Sequence, residues 1–262
     1  MEQVRRFHNH IKQWIIETWL TRKRIIDLGF GYGGDIHKYT KSEVECVFAI
    51  EPDLQHIAEA EKRIQVKAAI NQNMKHIQIV PCGAEHTNRI MQAFGERKEC
   101  KLDAAVAFFS LTFAFQSEDK LDRWIETIEK SVRLHGGLFV GTCLDGAATF
   151  EFLRDLPCNE TFSEGSYYSI KKLYKVDIAE DLFGTAIEIH SEGTILDHQL
   201  EYLVWFDHLI KKLKDVGFQL EMTRMFDPPD NTMPHELQRF SGLFRYFVFR
   251  RSRTDLRLLL ES

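Results

Sequence analysis

Between residues 25 and 41 a short apolar run, Ile25-Ile26-Asp27-Leu28, breaks into a turn bearing Gly29, Gly31, Gly33 and Gly34, and Asp35 to Lys41 read as the start of a helix. Glycine at these spacings lets the backbone enter conformations closed to other residues and lets a ligand approach the main chain. The pattern then repeats. Val44 to Ile50 reads as a strand, Asp53 to Ala69 as a helix with Asp53 as its N-cap, and His76 to Val80 as another strand. A helical stretch near Asn88 to Phe94 follows, then Leu102 to Phe109, whose nearly continuous apolar character predicts a strand buried on both faces. Leu121 to Val132 has helical periodicity, and Leu138 to Thr142 returns to strand after Gly136-Gly137. Strands alternating with helices at this spacing predict βαβ units and a parallel sheet. Ahead of the first strand, Val4, Phe7, Ile11, Trp14, Ile15 and Trp19 recur at three- and four-residue intervals, which predicts an amphipathic helix.

The pattern changes after residue 143. Tyr167 to Lys175 and Leu182 to His190 predict a hairpin-rich insertion, spanning about residues 144–200, rather than another βα unit. Tyr202 to Val216 reads as a helix stopped by Gly217, Phe226 to Pro234 as a loop, and Leu243 to Phe249 as a closing aromatic strand. Residues from about 250 to 262 read as a charged tail. A single domain over residues 1–262 is expected.

With 262 residues, 44% hydrophobic and 28% charged, the chain can bury a core without disulfides or metals. Its formal net charge of -5 argues against a protein that coats nucleic acid, so any such contact is expected to be local. The longest uncharged apolar stretch, Ala104 to Ser117, is too short to span a bilayer, and no membrane association is expected. The five cysteines are scattered without a Cys-x-x-Cys pair, which predicts a reducing setting and no zinc. The eleven histidines lack metal-ligand spacing.

Gly29, Gly31 and Gly34 satisfy G-x-G-x-x-G, a motif compatible with dinucleotides, other nucleotides or merely a tight turn. The flanking charges narrow the choice. Asp27 and Asp35 would repel a pyrophosphate, and no basic residue lies within the loop. A cationic ligand head suits them better, and S-adenosylmethionine carries both a sulfonium and an ammonium. Glu51 ends the next strand, where an acid gripping ribose hydroxyls belongs. An NAD-type ligand, or a pair of capping aspartates beside a solvated Glu51, remain the other readings of these residues.

These residues bring the chain close to a known family. It resembles the mRNA cap guanine-N7 methyltransferases over nearly its whole length, in Phe7-His8-Asn9-His10-Ile11-Lys12, in the Asp27-to-Asp35 loop, in Glu51-Pro52-Asp53 and in Phe108-Phe109-Ser110-Leu111-Thr112-Phe113. Gly136 to Thr142 and Glu201-Tyr202-Leu203-Val204 continue the likeness in order. Within the family it is similar in tone to the methyltransferase module of the multifunctional capping enzymes of large cytoplasmic DNA viruses, of the African swine fever virus type. The resemblance implies a Rossmann-like class I methyltransferase fold, a seven-stranded, mostly parallel sheet flanked by helices with a substrate-side insertion. It implies S-adenosylmethionine as cofactor, leaving as S-adenosylhomocysteine, held by Lys12, Asp27, Gly29, Gly31, Glu51, Phe108, Phe109 and Ser110. It implies 5′-capped mRNA (GpppN) as substrate, with Asn9, Thr112, Phe113, Glu201, Phe244 and Tyr246 at the cap. Arg5, Arg6, Lys38, Lys171 and Lys172 are candidates for the cap phosphates. Triphosphatase and guanylyltransferase modules are expected upstream in the same polypeptide, in the host cytoplasm or the virion. An activator subunit is left open.

Guanine N7 offers a free lone pair and loses no proton on methylation, so the chemistry calls for positioning and electrostatics rather than a general base. Glu201 is the expected electrostatic group, accepting from the guanine N1–H and N2–H₂. The family's guanine-contacting His is Thr112 here, its neighbouring Tyr is Phe113, a Gln near the methyl donor is Phe108, and a late Tyr aligns with Phe244. These departures leave two other readings: a catalytically degenerate, methyltransferase-like regulatory subunit, and a methyltransferase for another RNA or small-molecule acceptor.

Overall fold

A computed structural model describes residues 1–70, 76–96, 101–175, 182–191, 198–229 and 233–252. The chain opens with α1 (Glu2–Trp19), which buries Val4, Ile11, Ile15 and Ile16. Then β1 (Arg24–Leu28), α2 (Ile36–Lys41), β2 (Cys46–Ile50), α3 (Leu54–Ile70), β3 (Ile77–Val80), α4 (Thr87–Glu96) and β4 (Ala104–Phe108) alternate as expected. Asp53 caps α3 as predicted, its Oδ1 accepting the N–H groups of Gln55 at 2.7 Å and His56 at 3.1 Å. A short 3-10 helix (Leu111–Gln116), α5 (Glu118–Ser131) and β5 (Leu138–Leu144) complete the alternating part.

These strands join β10 (Phe218–Met225) and β11 (Phe244–Arg251) in a seven-stranded sheet ordered β10-β11-β5-β4-β1-β2-β3. All neighbours are parallel except β11, which runs antiparallel to both β5 and β10. Alternate residues feed two core layers, as a pleated strand requires. Ile25, Val106, Val140 and Val248 face α1, while Ile26, Ala107, Phe139 and Phe249 face α4, α5 and α7 (Phe206–Asp215). Every residue of β4 is buried, as its apolar run predicted.

The insertion consists of α6 (Gly146–Phe152) and a four-stranded antiparallel sheet of β6 (Thr161–Glu164), β7 (Tyr168–Lys172), β8 (Ala186–Ser191) and β9 (Gln199–Tyr202). One face of this sheet, through Tyr168, Ile170, Ile187 and Ile189, packs into the same core layer as α1. The expected helix from Tyr202 begins later, at Phe206, because Glu201 and Tyr202 are drawn into the ladder opposite Ile187 and Ala186. It ends where predicted, at Gly217 with φ +87°. Strand β10 and the helix α8 (His235–Ser241) have no counterpart in the sequence reading. In β10 the half-buried pattern and a register shift between Leu220 and Met222 blur the period-two signal. The tail expected from about residue 250 starts later, because Arg250 and Arg251 close β11 and Arg251 is buried on the carbonyls of Glu129 and Val132; the rest of it, beyond 252, lies outside the described residues.

Candidate functional site

Strand order reverses at β1, which has β2 on one side and β4 on the other, and such a reversal opens a crevice at the carboxyl ends of the strands. The turn after β1 meets the turn after β4 there. Gly29 sits at φ +111°, and a Cβ on it would stand 2.3 Å from the Cβ of Ser110. The Ser110 hydroxyl in turn donates to the Leu28 carbonyl. The Gly29 and Phe30 N–H groups both donate to Ile50 O at 3.0 Å, which ties the loop to the end of β2. Gly31, at φ +56°, has open space where a Cβ would point.

Glu51, at the end of β2, is 5% exposed and held on both oxygens. Gly31 N–H donates to Oε2 at 2.7 Å, Asp53 N–H donates to Oε1 at 3.0 Å, and His56 Nδ1 lies 3.3 Å from Oε1. The His56 ring is itself covered by Tyr32, centroid to centroid 4.1 Å.

Opposite them is a small charge cluster. Asp27 is buried at the end of β1 and accepts the Tyr39 hydroxyl at 2.7 Å. Burial pushes its carboxyl up to about 7; the Tyr39 hydrogen bond opposes that rise, and the charge of Asp35 adds to it. Asp35 receives Lys12 at 2.8 Å and Lys38 at 2.7 Å. Burial works to raise its carboxyl, and the two ammonium groups overcome that and hold it below the ordinary carboxylate value. Lys12 arrives from α1 and also lies over the rings of Phe108 at 5.8 Å and Phe109 at 5.6 Å. Phe109 holds this place at φ +62°, a strained conformation for a residue with a Cβ.

The cap-side candidates divide into two groups. Thr112 and Glu201 are neighbours: the Thr112 hydroxyl bonds the backbone of Tyr202, the residue after Glu201, at 2.7 and 2.6 Å. Thr112 is only 1% exposed, so it presents no surface to an acceptor, whereas Phe113 is 39% exposed. Glu201 is half-buried, and burial pushes its carboxyl up to about 8, the Thr112 hydroxyl pulling weakly the other way. Phe244 belongs to the second group, ringed by His8, Phe109, Phe226 and Phe240 at centroid distances of 5.0, 5.5, 6.2 and 5.4 Å. Tyr246 lies two steps deeper along β11, edge-on to Trp14 at 5.4 Å. Asn9 is half-buried on α1.

The basic residues expected at the cap phosphates are differently employed. Arg5 and Arg6 pair with Glu2 on the exposed side of α1, and Lys38 with Asp35. Lys172, 3% exposed, donates to the carbonyls of Leu153 and Arg154 at 3.1 and 3.3 Å. Lys171 is half-buried on β7.

His8 was not among the sequence candidates, yet it lies at the centre of the second group. Its Nε2 is 2.8 Å from Ser241 Oγ, and its ring stacks on Phe109 at 5.6 Å. Burial, helped by the nearby Lys12 charge, pulls its imidazole down to about 3. The signal was present in the spacing, because Val4, His8, Ile11 and Ile15 form one stripe of the helix.

Comparison with known proteins follows the same lines. A family profile described as "mRNA (guanine-N(7))-methyltransferase domain" matches residues 1–241. An mRNA cap guanine-N(7) methyltransferase of Eremothecium gossypii is 30% identical over 244 residues, covering 86% of this chain and 53% of that protein. An mRNA-capping enzyme of African swine fever virus is 27% identical over 229 residues, covering 82% of this chain and 26% of that protein. The chain thus spans about half the length of its yeast relatives. The CcbJ methyltransferase from Streptomyces caelestis shares the fold with a TM-score of 0.61 at 15% identity, over 92% of this chain and 88% of that one.

Proposed function

The chain belongs to the mRNA (guanine-N(7))-methyltransferase domain family, and from that premise we propose that it transfers the methyl group of S-adenosylmethionine to N7 of a cap guanine. The observation that carries this reading is the convergence on one crevice of the Gly29–Gly31 turn, the anchored Glu51 carboxylate and the Lys12–Asp35 pair.

The residues fit such a cofactor. Open space beside Gly31 leaves room for a sugar over the loop, within reach of Glu51. The two backbone N–H groups on Glu51 fix its orientation and leave lone pairs free for ribose hydroxyls. Lys12 supplies a cation for the methionine carboxylate, and the buried Asp27 carboxyl near the end of β1 offers an acceptor for an ammonium. Phe108, Phe109 and Ser110 form the wall opposite the loop. Bound there, the cofactor supplies a sulfonium methyl group.

The acceptor step needs no base, since guanine N7 attacks with its own lone pair. Positioning alone can contribute roughly 7–11 kcal/mol. Glu201 accepts from the Watson–Crick edge of the guanine and favours the positive charge that develops on the purine. Phe113, 39% exposed and next in the chain to Thr112, offers a stacking face.

A second reading, a catalytically silent relative that binds without turnover, draws on the burial of Thr112 and the apolar Phe108, neither of which offers a polar group to an acceptor. Methyl transfer from labelled S-adenosylmethionine to GpppA- and GpppG-capped RNA, with base analysis of the product, separates the two. Label on N7 supports the proposal; donor binding without transfer supports the silent relative, and label elsewhere another acceptor. We further propose that the chain forms one methyltransferase domain, because the small sheet and α1 share a core layer. We propose too that it works in the cytoplasm beside triphosphatase and guanylyltransferase modules of the same polypeptide, an arrangement favoured by its likeness to a longer viral mRNA-capping enzyme.

A further inference from the structure

We propose that Thr112 is a positioning residue: its hydroxyl clasps the outer edge of β9 and thereby fixes where the Glu201 carboxylate stands relative to the acceptor. The inference rests on the guanine-N7 reading above. It concerns how the site is held, not which atom is methylated.

Strand β9 closes one end of the small sheet, with β8 on its inner side. Along an antiparallel strand, the N–H and C=O of one residue point to the same edge, and successive residues alternate between edges. Tyr202 turns both groups outward, away from β8, and there they meet the Thr112 hydroxyl. Its oxygen accepts the Tyr202 N–H at 2.6 Å, and its proton goes to the Tyr202 carbonyl at 2.7 Å. One side chain thus takes the place of a missing neighbouring strand. The clasp is rigid at its base, because Leu111, Ala114 and Phe115 of the same 3-10 helix are fully buried. On the strand side the next residue back is Glu201, paired with Ile187. The Gly184 N–H donates to the Phe115 carbonyl at 3.0 Å, a second link from the same 3-10 helix to the insertion. A 1%-exposed hydroxyl shared between the Tyr202 backbone and the Glu201 carboxyl has nothing left to read a base edge. It acts through Glu201.

The test is a double-mutant cycle in single-turnover methylation of capped RNA, with donor affinity measured on every variant. Thr112→Val keeps the shape and deletes the hydroxyl, leaving both Tyr202 groups unpaired. It should slow methylation roughly tenfold or more while donor affinity stays within about twofold. Thr112→Ser restores the hydroxyl and should restore most of the rate. The Thr112→Val/Glu201→Gln pair should be no slower than Glu201→Gln alone, because a positioning device has nothing left to position. Multiplying defects, an unimpaired Thr112→Val, or no rescue by Ser would overturn the inference. Wild-type protein that methylates no guanine N7 would instead overturn the functional reading, a result visible before any variant is made.

Discussion

Lys12 reaches Asp35 at 2.8 Å, so the first helix is pinned to the glycine loop by an ion pair that spans only twenty-three residues of chain. Both side chains are 14% exposed, and Lys38 completes a two-cation grip on one carboxylate. A ligand carboxylate entering here meets a lysine already oriented. Lys12→Ala should weaken S-adenosylmethionine binding roughly tenfold or more, as expected for a charge-assisted contact. Decarboxylated donor provides the control. Calorimetry should find it insensitive to this substitution, and an equal loss for both ligands would detach Lys12 from the carboxylate.

Glu51→Ala removes the acceptor for the ribose hydroxyls and should reduce donor affinity by about 1–3 kcal/mol. Calorimetry with S-adenosylmethionine and with NAD reads both affinity and class; preferential binding of NAD would reverse the assignment.

The two glycines predict different outcomes for the same substitution. Gly31→Ala meets no atom within 4 Å and bears only the left-handed backbone, about 1–2 kcal/mol. Gly29→Ala, at φ +111° and outside the left-handed well, bears a larger strain and also drives a Cβ into Ser110. Thermal denaturation should rank Gly29→Ala well below Gly31→Ala. Equal midpoints would mean that the loop yields at Ser110.

The carboxyl of Glu201 is held near 8, whereas in an unfolded chain it ionises at the ordinary glutamate value. Between those values the native state carries one more proton than the unfolded one, so this residue costs stability increasingly as pH rises. Glu201→Gln abolishes the cost, and its midpoint advantage over wild type should grow from pH 5 to pH 8. Asp27 titrates in an overlapping range in both proteins and cancels in the difference. Activity has the opposite sign. The ionised form supports a cationic guanine, so kcat/KM for capped RNA should climb toward pH 8 in wild type. Glu201→Gln should give a flat profile, with turnover lowered roughly tenfold to a thousandfold.

His8, lowered to about 3, adds the acid limb. Its neutral form is native, so its contribution is complete above the ordinary histidine value and is lost as pH falls from there toward 3. Urea midpoints at pH 4.5 and 6.5 should therefore differ more for wild type than for His8→Gln. A wild-type protein no more acid-sensitive than the variant would show that the ring is solvated.

Much of this architecture was legible in the chain. The Ile25-to-Gly34 turn, the doubly buried Ala104–Phe108 strand and the capping Asp53 announce themselves through local rules that burial does not override. Strand β10 did not, because an edge strand that alternates imperfectly looks like a loop until β11 supplies its partner. Tyr202 reads as the start of a helix for the same reason: its strand character comes from Ala186, sixteen residues earlier. At the site, residue types were visible and their employment was not. The resemblance puts Thr112 at the cap, whereas its hydroxyl is spent on Tyr202, and the spacing of α1 does not show the four phenylalanines that surround His8.

The contact between His8 and Ser241 joins residues 233 positions apart. A chain emerging from a ribosome would have made the helix that carries Lys12 long before the segment that seats it exists. Until α8 and β11 arrive, the carboxylate end of the donor crevice has no fixed wall on that side, although none of those late residues lies on the glycine loop. A chain interrupted before Ser241 would carry every residue of the glycine loop, with its first helix tied to that loop through Lys12 and Asp35 but without the His8–Ser241 contact.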